Sequence, residues 1–324
     1  MLRIETIDLS YLEIPNAIAA FVVFGPNGPV LIETGPASTL EHLSSGLARI
    51  GLRLEELQHA LVTHIHLDHA GAAGHLARNG TQIYVHEFGA KHLIDPSRLI
   101  DSATRIYGRQ MDRLWGSIIP VPPDRVTPVH DGDVIDAGGL QITAIETPGH
   151  ARHHHAFAIE DICFVGDVGG ISVPGVPEPP EGRFISVPTP PPEFDPKAWH
   201  ASIERLRAMN FAAIHLTHFG MRRNVDAHFA RLHQLIDEHA EFVRRHRAEG
   251  LSRDEILRRY IEWNRREARA DGVSDLAFSH YVSTNLLTMN VDGILRHWSK
   301  VQEQSAGAER QKAHANERIA PADQ

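Results

Sequence analysis

The segment Thr63-His64-Ile65-His66-Leu67-Asp68-His69 puts four potential metal donors within six residues. Imidazole and carboxylate without thiolate suit zinc, and also iron or manganese. An extended His-x-His at a strand end projects two imidazoles to the same side. A turn into a helix then carries Asp68 and His69 round to a second, adjacent position. The chain has 23 His but 1 Cys, so it can form neither an internal disulfide nor a thiolate zinc cluster, and any metal chemistry must use His, Asp or Glu. The number of histidines does not say which of them matter; spacing does.

The elements that must carry this segment alternate between strand and helix patterns. Runs at 21–24 and 30–33 flank Gly25-Pro26-Asn27-Gly28 and read as a hairpin. Ser38 and Glu41 have capping-box spacing, and Leu40, Leu43, Leu47 and Ile50 share a helical face that Gly51 closes. A buried strand over 59–63 delivers the His-rich segment. A small-residue helix to about 79, a strand over 82–86 and a helical stretch over about 88–117 follow, then strands over 133–137, 141–147, 156–159 and 162–165. The short turns between these last strands favour a mixed sheet. Residues 173–196 carry nine prolines, a long irregular segment with either a binding or lid role or that of a surface excursion. A helix over 196–209 and a strand over 212–217 complete this pattern. From Arg222 only helices are expected: a stripe of Val225, Phe229, Leu232, Ile236 and Val243, a second capping box at Ser252 and Glu255, and a third stretch over 274–299. Residues 301–324 lack periodicity and read as a disordered tail.

With 324 residues, 42% hydrophobic and 23% charged, the composition is that of a globular protein and excludes wholesale disorder, collagen and coiled coil. A formal charge of -9 lacks the electrostatic footprint of a general nucleic-acid binder. Neither a signal peptide nor a membrane span is expected, and the single Cys agrees with a cytoplasmic chain. The expected partner is a small-molecule substrate, with no nucleic acid and no membrane; apolar positions on the C-terminal helices allow a homodimer.

The His-x-His-x-Asp-His segment resembles the defining motif of the metallo-β-lactamase-fold hydrolase superfamily, and the similarity extends over roughly residues 5–220. Three later segments match in order: Thr147-Pro148-Gly149-His150, Val165-Gly166-Asp167 and Leu216-Thr217-His218-Phe219-Gly220. The resemblance implies an α/β, four-layer αββα sandwich, with a catalytic domain over 1–220 and a helical appendage over 221–300 serving as pocket, lid or dimer contact. It also implies that His64, His66 and His150 hold one metal, that Asp68, His69 and His218 hold a second, and that Asp167 bridges them. An Asp at the bridging position is similar to glyoxalase II, lactonases and related hydrolases rather than to true β-lactamases. The chain has no room for the insertion of the nuclease relatives, and His66 stands where flavodiiron relatives carry Glu. It departs from the pattern at Ile32-Glu33-Thr34-Gly35, where relatives have Asp in place of Glu33.

The activity so implied is hydrolysis of a small ester, lactone or thioester by a hydroxide bridging two divalent ions, zinc first and iron or manganese as alternatives, with Asp68 ligating and orienting. A phosphodiesterase or nuclease, and a mononuclear iron persulfide dioxygenase, are the competing activities on the same scaffold. His153, His154 and His155 are expected to line or flank the cleft, and Cys163 to be a buried structural thiol. His228, His233, His239 and His246 read as solvated or packing residues. By similarity to the helical segment of glyoxalase II, His280, Tyr281 and Asn285 are candidate substrate-pocket residues.

Overall fold

Alternation along Ala19–Gly25 sends Ala19, Phe21 and Val23 to one face and Ala20 and Val22 to the other, and all five are buried. A strand covered on both faces lies inside a layered structure. The computed structural model, which describes residues 2–172, 184–285 and 287–317, has these layers. β1 (Arg3–Asp8), β2 (Ala19–Gly25), β3 (Gly28–Ile32), β4 (His59–Leu61), β5 (Gln82–His86) and β6 (Val126–Val129) form one sheet in that spatial order, antiparallel up to β3 and parallel from β3 onward. β7 (Val134–Ala137), β8 (Leu140–Glu146), β9 (His155–Ile159) and β10 (Ile162–Phe164) begin a second sheet. A ribbon of β11 (Ile171–Ser172) and β12 (Ile185–Ser186) intervenes, and β13 (Ala213–Leu216) and β14 (Gly220–Arg222) complete the second sheet in the order β14-β13-β10-β9-β8-β7. Both sheets are mixed, β10 and β13 being parallel.

Phe21, Ile32 and Leu61 meet Ile142, Phe157 and Phe164 between the sheets. On the outer face of the first sheet lie α1 (Leu40–Arg49), α2 (Leu67–Ala70), α3 (Ala73–Arg78), α4 (Glu87–Ile94), α5 (Ser97–Tyr107) and α6 (Met111–Trp115). Leu43, Leu47 and Leu76 of these helices share a core with Val22, Leu31 and Ala60. The second sheet is covered by α7 (Pro196–Ala208), α8 (Val225–Ala248), α9 (Arg253–Ala270), α10 (Asp275–Asn285) and α11 (Leu287–Glu317), which share a core around Trp199, Phe229, Tyr260 and Tyr281. The architecture is a four-layer αββα sandwich with additional C-terminal helices. Among the described residues no helix is long and apolar enough to cross a membrane.

Five strands escape the hydrophobic pattern: β1, β6 and β14 at sheet edges, and the two-residue β11 and β12 of the ribbon. The edge strand β6 is short and carries Pro128, which a central strand would not tolerate. Ser252 caps its helix as expected, its hydroxyl accepting from the Glu255 amide at 3.3 Å, while the Glu255 carboxylate meets the Ser252 hydroxyl at 3.3 Å and not the Ser252 amide that a full capping box requires. Ser38 does not cap: its hydroxyl donates to the Leu114 carbonyl at 2.7 Å, and the helix begins at Leu40. Residues 301–317, read as disordered, continue α11 as helix, because an Ala-, Gln- and Glu-rich segment has high helix propensity without an apolar stripe.

Of the Pro-rich segment, residues 173–183 lie outside the described residues, whereas 184–196 pack against α11. The Thr189 amide donates to Asn290 Oδ1 at 3.0 Å, and its hydroxyl donates to the Asn290 carbonyl, also at 3.0 Å. Gly293 makes the approach possible, since a Cβ there would collide with the Thr189 carbonyl. Gly293→Ala should therefore push α11 off this segment and cost about 1–3 kcal/mol. Chemical denaturation checks this; a midpoint equal to that of the parent chain would contradict the packing.

Candidate metal centre

Four loops leaving the same end of the two sheets converge. The loop after β4 carries His64 and His66, and α2 directly after it carries Asp68 and His69; the segments after β8, β10 and β13 carry His150, Asp167 and His218. Backbone bonds lock the loops together across the sheets: the Ala19 amide donates to the Thr217 carbonyl at 2.8 Å, and the His155 amide to the Thr63 carbonyl at 2.8 Å.

All seven residues expected from the sequence are brought together. His66 Nδ1 lies 2.8 Å from His64 Nε2 and 2.9 Å from His150 Nε2. Beside this trio, His218 Nε2 is 3.4 Å and His69 Nε2 3.8 Å from Asp68 Oδ2. Asp167 faces both groups: Oδ2 stands 3.3 Å from His150 Nε2, while Oδ1 stands 3.2 Å from His69 Nε2 and 3.4 Å from His218 Nε2.

Each of four rings is oriented through its other nitrogen. His64 Nδ1 donates to the Thr63 hydroxyl at 3.1 Å, His150 Nδ1 to the Pro188 carbonyl at 2.9 Å, and His218 Nδ1 to the Ala17 carbonyl at 3.0 Å. His69 Nδ1 donates to Glu33 Oε1 at 2.9 Å. These bonds aim all four Nε2 atoms inward, so that their lone pairs, on His69 and His218 once deprotonated, point at the centre, the arrangement by which a second ring of partners fixes metal-binding tautomers. Glu33, where relatives have Asp, thus serves as an orienting carboxylate; it has left-handed backbone geometry at φ 67°.

Burial and the neighbouring imidazoles hold His64 well below the usual histidine range, and burial with His150 brings His66 down to about 3. For His69 and His218 burial also opposes charge, but the surrounding carboxylates outweigh it and raise both. Burial works against ionising Asp68 too, yet His69 and His218 bring it to about 2, and Asp167 is likewise held low. The carboxylates are therefore ionised and the trio neutral, as a divalent cation requires, while its binding would displace protons from His69 and His218. His69 Nε2, Asp167 Oδ1 and His218 Nε2 are buried without a hydrogen-bond partner among the described residues. Buried orphans of this kind cost about 1–3 kcal/mol each, and here they point at one another, so the donor set fits metal ions.

The run His153-His154-His155 divides three ways. His153 lines the adjoining cavity. His154 is fully buried beneath Asp167, accepting from the Asp167 amide at 3.2 Å through Nε2 and donating to the Thr147 hydroxyl at 2.8 Å through Nδ1. His155 belongs to β9 and stacks on His86 at 4.4 Å. The role of His154 went unread because its partners are a backbone amide and a hydroxyl, which leave no spacing signal. Cys163 is buried, as expected.

A cavity of about 250 Å³ opens over the centre, with His66, Asp68, His150, Asp167 and His218 at its base. Its walls come from Leu99, Ala103 and Ile106 of α5, from Pro188 and Pro190–Pro192, and from Thr284, Met289 and Asn290. Of the pocket residues expected on α10, Tyr281 is instead fully buried and hydrogen-bonded to Ser186, and His280 does not line the cavity. Burying the Tyr281 ring against Phe184 and Phe278 turns the helix so that Thr284 faces the cavity. Asn285 ends α10, and its side chain lies outside the described residues.

Two facing sheets with His and Asp donors at their strand ends define a metal-dependent hydrolase. Residues 14–218 match the family model described as Metallo-beta-lactamase superfamily, and the chain belongs to that superfamily. It is 26% identical over 272 residues to the metallo-beta-lactamase fold-containing protein ST1585 of Sulfurisphaera tokodaii, covering 82% of this chain and 96% of that one. It is 31% identical over 121 residues to the acyl-coenzyme A thioesterase MBLAC2 of Gallus gallus, a match spanning 34% of this chain and 40% of that protein. Among solved structures, the metallo-beta-lactamase family protein TTHA1429 from Thermus thermophilus shares the fold with a TM-score of 0.60 at 20% identity, over 87% of this chain and 93% of that one.

Glu33→Ala strands His69 Nδ1 and two hydroxyls in the interior. Metal affinity should fall about 10- to 100-fold, as for other orienting partners. Competition against a chromophoric chelator measures this, and parent-like affinity would remove Glu33 from the role given to it.

Proposed function

We propose that this chain hydrolyses small esters, lactones or thioesters with an uncharged acyl part, using two divalent metal ions, zinc foremost. His64, His66 and His150 would hold one ion, Asp68, His69 and His218 the other, and Asp167 would bridge. Ions bound there supply a water acidified enough to act as a nucleophile near neutral pH and polarise the bond under attack. The remaining work belongs to the chain. Asp68, ionised and with 24% of its side chain exposed toward the cavity, accepts a hydrogen bond from the attacking water and orients it. Leu99, Ala103, Ile106 and the prolines receive the acyl part and keep bulk water from the base of the cavity.

The observation that carries this reading is the chemistry of the cavity wall: among the described residues no Lys or Arg lines it. A phosphodiester keeps a negative charge throughout its cleavage and gains from side-chain cations, whereas a neutral ester or thioester develops charge only at the centre itself. The volume also suits a small substrate, lying below the roughly 300–1,000 Å³ of drug-sized sites.

Four outcomes test the proposal. Metal analysis should return two ions per catalytic centre; a single iron with oxygen consumption would replace hydrolysis by a dioxygenase reaction. Across p-nitrophenyl esters, lactones, acyl-thioesters and bis-p-nitrophenyl phosphate, the acyl substrates should lead in kcat/KM by about 100-fold or more, equivalent to about 2.7 kcal/mol; the reverse order would make the protein a phosphodiesterase. Asp68→Asn should abolish turnover with an unchanged circular dichroism spectrum. Ala103→Phe, which fills one wall, should raise KM about tenfold for longer acyl chains while sparing acetyl esters.

A further inference from the structure

Outside the catalytic centre, His200 of α7 meets His233 and Asp237 of α8. On α8 the two residues stand four apart, so they share one face a turn from each other. That face meets α7, where His200 Nε2 lies 2.8 Å from Asp237 Oδ1 and the two imidazole rings approach to 3.7 Å between centroids. One donor atom from each residue falls within 4.8 Å of the others. His200 Nδ1 is buried without a hydrogen-bond partner among the described residues. Sequence spacing gave no reason to separate His233 from the other histidines of α8, because its closest partner lies 33 positions away on a different helix.

We propose that His200, His233 and Asp237 form an additional metal site, distinct from the catalytic centre, that takes a divalent transition ion of the zinc type and ties α7 to α8. Two imidazoles and one carboxylate are donors of the N/O class that zinc, cobalt and nickel accept. A tetrahedral ion with bonds of about 2.0–2.1 Å holds its donors roughly 3.4 Å apart. His200 Nε2 and Asp237 Oδ1, 2.8 Å apart, therefore have to separate by roughly 0.6 Å to admit the ion, which partly exposed side chains achieve by rotation about χ1 and χ2. Water completes the coordination, since only three protein donors are present.

The location gives such an ion a structural task. Trp199, beside His200, donates its Nε1–H to the Val168 carbonyl at 2.9 Å and packs edge-on against His150 at 6.0 Å. Clamping α7 to α8 thus fixes a helix that backs one of the catalytic-centre histidines against the first of the C-terminal helices.

The test compares the full chain with His233→Gln and with the His200→Ala/His233→Ala double variant. Each is stripped with chelator, dialysed to equilibrium against micromolar free zinc at pH 7, and assayed for zinc per chain. The parent chain should hold one more zinc than either variant, whatever number the catalytic centre holds, and hydrolytic activity should be the same in all three. With the catalytic centre saturated, further zinc should raise Tm by about 2–4 °C in the parent and in neither variant. Equal zinc counts, or equal Tm responses, would overturn the proposal. The conservative His233→Gln variant keeps the result interpretable if the double variant folds poorly.

Discussion

The Glu33 carboxylate accepts hydrogen bonds from the Thr63 amide at 3.3 Å, the Thr63 hydroxyl at 2.6 Å, the Thr217 hydroxyl at 3.0 Å and the His69 ring at 2.9 Å, with no exposure to solvent. A charged carboxylate can be kept in a protein interior only when its lone pairs are engaged in this way. Its partners come from the end of β4 in one sheet and the end of β13 in the other, so the same group that aims His69 also sets the spacing between the sheets where the donors converge. The Thr63 hydroxyl in turn accepts from His64, which makes both outer members of the His-rich segment answer to one residue. The left-handed conformation of Glu33 belongs to this arrangement, because it turns a strand-end side chain inward instead of along the sheet.

Legibility in the sequence followed the range over which each interaction acts. The segment from Thr63 to His69 is local, so its spacing alone announced two adjacent donor positions. The strands of the sheet interiors were visible for a similar reason: burial on at least one face imposes an apolar pattern, as in Ala19–Gly25. Edge strands are released from that requirement, and β1, β6 and β14 left no trace, as did the two-residue β11 and β12, whereas the edge strand β7 kept an alternating burial pattern and was legible. The partners of Glu33 were hidden because they lie 30, 36 and 184 positions away, fixed by sheet topology and not by spacing. Pocket residues on α10 fell on the wrong phase of the helix for a comparable reason. The rotation of that helix is set by aromatic packing around Tyr281, and a polar side chain in a sequence carries no record of that packing.

The cavity divides its labour between a floor of charged and imidazole groups and walls that are mostly apolar, with Ser102, Glu193, Thr284 and Asn290 among them, and each part comes from a different layer. Strand ends furnish the floor, α5 one wall, and the Pro-rich segment with α11 the opposite one. This separation allows the walls to change without disturbing the donors, in keeping with the rule that chemistry belongs to sites grafted on a shared fold.

Pro188 is an exception to that separation. Its carbonyl receives the proton of His150 Nδ1, its ring lines the cavity, and its neighbour Thr189 is pinned to α11 through Asn290. Whatever occupies the pocket and displaces this wall also alters the hydrogen bond that sets the basicity of His150. The position of this wall and the orientation of the His150 ring are therefore held by one and the same hydrogen bond. The proline-rich strap thus ties the shape of the pocket to the placement of a donor at its base.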